Sequence, residues 1–146
     1  MTALARDRRM LRLLTLGEQA ARASEVRFAR CVAQAADAAA SLSHIQGLIL
    51  TAAPLRDAQG VTAIAAAAHL RALLLPAAEA AAARLQDAVA DRRRAEAALV
   101  ATRERARRLA DQATGARRAL ANEVADKEGQ DRPISARTQD FRKAVA

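Results

Sequence analysis

The sequence predicts an all-α fold, a long antiparallel two-helix coiled-coil hairpin with a short helical segment or kink after the turn. Three observations predict it. Of 146 residues, 43 are Ala and 22 are Arg, and with Leu, Glu and Gln these are the best helix formers. Trp and Tyr are absent, Phe occurs only at Phe28 and Phe141, and there are 5 Gly and 3 Pro. Sandwiches, barrels and doubly wound sheets need β-branched and aromatic residues with frequent turn residues, so those classes are all but excluded. Finally, apolar residues recur at steps of three and four over two long stretches parted by one break.

The first helix is expected over about 3–52. Steps alternating three and four from Leu11 run through Leu14, Glu18, Ala21, Glu25, Phe28, Val32, Ala35, Ala39, Leu42, Gln46 and Ile49. Nine of these twelve are apolar, which fits a coiled-coil seam. The large residues Leu11, Leu14, Phe28, Val32, Leu42 and Ile49 set the phase. A turn is expected over about 53–60, where Pro54, Asp57 and Gly60 fall close together.

Thr62 then caps a short helix over about 62–75, and Pro76 either kinks that helix or opens the next one. A long helix over about 76–128 follows. Its seam is Ala81, Leu85, Ala88, Arg92, Ala95, Leu99, Thr102, Ala106, Leu109, Ala113, Ala116, Leu120 and Glu123, with ten of thirteen apolar. Gly129 and the step Asp131-Arg132-Pro133 end it, leaving a flexible tail over 129–146. Two long helices joined by so short a connection pack antiparallel. The chain is thus one helical hairpin, residues 1–146.

The formal net charge is +8, which points to an acidic partner. Its distribution is uneven: residues 1–30 carry +4, 31–90 carry −1, 91–118 carry +5 and 119–146 balance at zero. Folding about residue 57 brings Arg92–Arg108 beside roughly residues 6–22, so both basic blocks meet at the end remote from the turn. Near the turn, Ile45 and Leu48 lie off the seam, beside Leu42, Ile49 and Leu50. Val61, Ile64, Leu70, Leu73, Leu74 and Leu75 lie across it. Two helices cannot bury all of these. Either the 61–75 segment folds back over them or an apolar docking face remains.

The single Cys31 excludes an internal disulfide and fits a reducing compartment, where it packs as a small apolar group. Arg6, Arg8, Arg9 and Arg12 before the Leu11–Leu16 patch look like a signal peptide only superficially, because Asp7, Arg12 and Glu18 interrupt it. The most apolar stretch, Ala63–Ala83, contains His69, Arg71, Pro76 and Glu79, too many interruptions for a bilayer span. The expected location is cytoplasmic. His44 and His69 are far apart with no second cysteine near, so no zinc site, nucleophile triad or glycine-rich phosphate loop can be assembled. No catalytic residue, cofactor, metal or small-molecule substrate is expected, and the protein reads as a non-enzyme.

The stretches Glu18-Gln19-Ala20-Ala21-Arg22, Gly60-Val61-Thr62-Ala63, Arg103-Glu104-Arg105-Ala106-Arg107-Arg108-Leu109 and Gln139-Asp140-Phe141-Arg142-Lys143-Ala144, with this length and layout, resemble the stalk proteins of type III protein export. These are the flagellar FliJ family and its virulence-system counterparts. The resemblance implies a stalk or adaptor that inserts its paired termini into the hexameric export ATPase ring, promotes ring assembly and couples it to the export gate. It also implies escort of export chaperones and peripheral association with the inner-membrane export apparatus. On this reading Arg8, Arg9, Arg12, Arg103, Arg105, Arg107 and Arg108 meet acidic side chains of the ring. Leu42, Ile45, Ile49, His69 and Leu73 occupy the places that touch the cytoplasmic domain of the export gate near the hairpin tip. The alternatives are a generic structural coiled-coil interaction protein and a basic nucleic-acid-binding helical protein. The near absence of aromatics for base stacking weighs against the last.

Overall fold

The computed structural model describes residues 2–52, 60–131 and 144–145. Two long helices, α1 (Ala3–Thr51) and α2 (Val61–Gln130), make up nearly all of this, with no strand among the described residues. The chain divides into two compact units, in each of which a stretch of α1 packs against a stretch of α2. Unit one is Met1–Ala21 with Thr102–Ala146, and unit two is Arg22–Ala101.

The helix ends follow from local chemistry. Thr2 caps α1: its Oγ1 accepts from the amide of Ala5 at 3.3 Å and its carbonyl from the amide of Arg6 at 3.1 Å. At the other end the Leu48 carbonyl accepts from the Ala52 amide and the Thr51 hydroxyl, both at 2.9 Å. The expected cap at Thr62 is replaced by Gly60, whose carbonyl accepts from the amide of Ile64 at 3.3 Å. Gly60 has φ +141°, open to a residue without a Cβ and strained for any other, so this residue sets where α2 starts.

The separate helices expected over 62–75 and 76–128 are one 70-residue helix with Pro76 inside it. Pro76 has no N–H for the carbonyl of Ala72. Both residues lie on the exposed side of α2, so the lost bond falls on the solvent side, while Leu74 and Ala78 continue the packed face across the site. The expected turn over 53–60 lies, apart from Gly60, outside the described residues, as does most of the tail.

In unit one the packed face of α1 is Ala3, Asp7, Met10, Leu14, Gly17 and Ala21, and that of α2 is Thr102, Ala106, Leu109, Ala113, Ala116, Leu120 and Glu123. At Gly17 α2 packs tightly against the α1 backbone. A Cβ added there would lie 2.8 Å from Leu109 Cδ1 and 3.6 Å from Ala106 Cα. Thr2 and Leu4 share a groove with Leu120, Glu123, Val124 and Lys127.

In unit two the packed face of α1 is Ser24, Phe28, Cys31, Ala35, Ala38, Leu42, Ile45 and Ile49. Opposite, α2 contributes Ala67, Arg71, Leu74, Ala78, Ala81, Leu85, Ala88, Ala95 and Leu99. The most buried residues are small, Ala81 and Ala95 at 2 % exposure, and no large side chain reaches that level among the described residues. The core is therefore a thin seam of alanines set between half-covered leucines.

The burial pattern corrects five of the twelve expected α1 seam positions. Leu11 is half-buried and Leu14, Ala21, Phe28, Ala35, Leu42 and Ile49 face inward as expected, but Glu18, Glu25, Val32, Ala39 and Gln46 face out. Gly17, Ser24, Cys31, Ala38 and Ile45 take their places. The observed phase keeps two carboxylates and an amide in water, where burying them without partners would cost several kcal/mol (roughly 2–7 for an amide). It also admits small residues, which a close helix pair requires. In α2 the expected seam holds at every position except Arg92, which is exposed.

Candidate functional site

Both arginine sets singled out by the sequence fall in unit one. Leu14 and Gly17 hold the inner face of α1, which leaves Arg8, Arg9 and Arg12 on its exposed sides. These three line a shallow groove with Thr2, Leu4 and Ala5, and Arg12 lines a second one with Thr15, Leu16 and Gln19. On α2, Thr102, Ala106 and Leu109 face inward, so Arg103, Arg105, Arg107 and Arg108 flank the seam and are exposed. Arg108 Nη2 donates to Glu104 Oε2 at 3.4 Å, a pair more than 60 % exposed on both sides, and Arg103 also has an interaction partner. Lys127 and Glu123 pair at 3.0 Å one turn apart.

The alignment of the two sets differs from expectation. A fold about residue 57 puts Ala106 near residue 8, whereas Ala106 and Leu109 lie against Gly17, and Leu120–Lys127 lie against Thr2 and Leu4. Arg8–Arg12 therefore sit between these two anchor points, further along unit one than Arg103–Arg108. Leu109 lies against Gly17, a residue without a side chain, and this pairing differs from the one a fold about residue 57 would give. One carboxylate was missed by the sequence reading: Asp7 faces the seam, and its Oδ1 is buried with no hydrogen-bond partner.

In unit two, Leu42, Ile45 and Ile49 are half-buried on the packed face of α1. Ile45, expected off the seam, is on it. His69 and Leu73 are exposed, Leu73 by 61 %. The larger apolar surface comprises Leu48 and Leu50 of α1 with Val61, Ile64, Leu70 and Leu75 of α2, exposed from 41 % for Leu48 to 85 % for Val61. Residues 61–66 are exposed on every side. An 18-residue window of α2 is apolar enough by length and composition to cross a membrane, and none of it is buried.

Cys31 is a free thiol on the seam, at the floor of a groove lined by Val26, Arg27, Arg30 and, from α2, Asp91. Asp91 pairs with Arg94 on its own helix. No group of three metal-ligating side chains gathers among the described residues.

No family model, curated protein or solved structure matches this chain.

Proposed function

We propose that the chain is a non-enzymatic stalk or adaptor of type III protein export, built as an antiparallel coiled-coil hairpin. The observation that carries this reading is that all seven ring-facing arginines fall in one unit and are exposed around a thin, alanine-lined helix pair. A narrow basic helix pair is the shape and charge suited to an acidic pore, where several arginines exchange water for carboxylates. The antiparallel reading is supported within unit one: from Gly17 back to Leu4 on α1, the facing residues on α2 advance from Ala106 to Val124. A repeat of steps of three and four on both packed faces is what a left-handed coiled coil uses. Contact with the export gate falls to the exposed His69 and Leu73, because Leu42, Ile45 and Ile49 are engaged in the seam. Handling of export chaperones belongs to the same proposal.

The test is steady-state ATP hydrolysis by the export ATPase of the same organism, with and without this protein. A variant with Arg103, Arg105, Arg107 and Arg108 changed to Ser is run beside it. Stimulation or ring formation that the variant loses supports the stalk reading. Unchanged hydrolysis together with no complex on gel filtration overturns it.

A further inference from the structure

Val61, Ile64, Ala68, Ala72 and Leu75 are all exposed, and the steps between them are three, four, four and three. At 3.6 residues per turn these five form one stripe about 21 Å long. It lies beside the packed face of α2, which Ala67, Arg71, Leu74 and Ala78 occupy, so it has no covering element within unit two among the described residues. The order of steps reads the same in both directions. Two β-branched residues stand at one end, Leu at the other and Ala between, so a reversed copy sets the large Ile64 against the small Ala72.

We propose that this stripe is the interface between two copies of the chain, paired antiparallel about a two-fold axis at Ala68. That axis sets Ile64 against Ala72 of the second copy and Val61 against Leu75 of the second copy. The two Ala68 residues meet at the crossing, where small side chains let helices approach. A self-complementary patch is what an isologous interface requires, and a partner unrelated in sequence would need no palindrome.

Charge points the same way. The chain carries +8, whereas residues 61–78 hold a single formal charge, Arg71, half-buried on the neighbouring face. Two copies of a basic protein repel wherever arginines are dense, and this uncharged stripe is where they can meet. A contact one helix wide is at the small end of specific interfaces, where transient encounters fall. His69 and Leu73 are on a different side of α2 and stay open to another partner.

Sedimentation equilibrium of the full chain between about 1 and 200 µM tests this. A monomer–dimer equilibrium is expected. Ala68→Arg places two like charges at the axis and weakens the dimer at least about ten-fold, with helicity by circular dichroism unchanged because Ala68 is exposed. Leu73→Arg leaves the equilibrium as it was. In a Cys31→Ser background, Ala68→Cys is captured as a dimer by a short bismaleimide and Leu73→Cys is not. A monomer at every concentration overturns the proposal, as does a dimer indifferent to Ala68→Arg. A monomer that instead floats with anionic phospholipid vesicles overturns it in favour of a lipid surface.

Discussion

Unit one and the first turns of α2, in unit two, are built from the same alanine-rich helix and present opposite surfaces. Unit one carries a formal +6, and its exposed large apolar residues, Leu4, Leu13, Leu16, Val124 and Val145, are scattered along the sequence. Residues 61–78 hold one charge, and five large apolar side chains there are more than 45 % exposed. Alanine is nearly indifferent to burial, so an alanine-rich helix has no inside of its own. In unit one the arginines supply the distinction: Arg103, Arg105, Arg107 and Arg108 can point only outward, which leaves Ala106 and Leu109 to face Gly17. At the start of α2 nothing excludes a face from burial, and apolar surface remains on sides that α1 does not cover.

The comparison breaks most sharply if charge is placed on a buried leucine of the seam. Leu99→Asp, at a position 6 % exposed, should cost about 3–5 kcal/mol and abolish the cooperative helical melt. A melting curve like that of the parent would show the register to be wrong. Next in size is the small-residue requirement of unit one. Gly17→Val should destabilise by about 1–3 kcal/mol, since its Cβ alone meets both the Leu109 side chain and the Ala106 backbone. Denaturant titration measures this, and a stable variant would mean the helices have room to part.

Asp7→Leu should do the reverse. It removes a buried carboxylate oxygen without a partner and fills a seam position, raising stability by about 1 kcal/mol on the same titration. The smallest effect sharpens the contrast from the other side. Leu73→Asp, at 61 % exposure, should stay within about 0.5 kcal/mol of the parent, whereas Ile45→Asp, half-buried on the seam, should lose about 1–3 kcal/mol. Equal melting temperatures for the two would dissolve the distinction between seam and surface near the turn.

The α2 seam was legible because Leu85, Leu99, Leu109 and Leu120 stand far above the alanine background and share one phase. The α1 seam was legible only at alternate positions. There, Val32 drew the reading by size, while Gly17 and Ser24 were left off the repeat, as was Cys31 although it was expected to pack. In a thin helix pair smallness is itself the signal, because close approach needs room at the contact. The Pro76 break was overread for a related reason: the cost of one lost hydrogen bond is local, and an exposed carbonyl recovers most of it from water. Of the five residues that the resemblance assigned to a gate contact, Leu42, Ile45 and Ile49 are half-buried; apolar side chains near a turn can serve either role, and one sequence does not say which.

By itself the sequence determined the helical class, the extent of α1 and α2 to within a few residues, the α2 seam and the uneven spread of charge. Each of these follows from propensity, from period or from the count of ionised groups, all of which are local or additive properties. Tertiary structure decided the phase of α1, the alignment of Gly17 with Ala106 and Leu109, the persistence of α2 through Pro76 and the apolar stripe left open from Val61 to Leu75. These depend on which small residue meets which large one across the seam, a pairwise fit that neither helix contains alone.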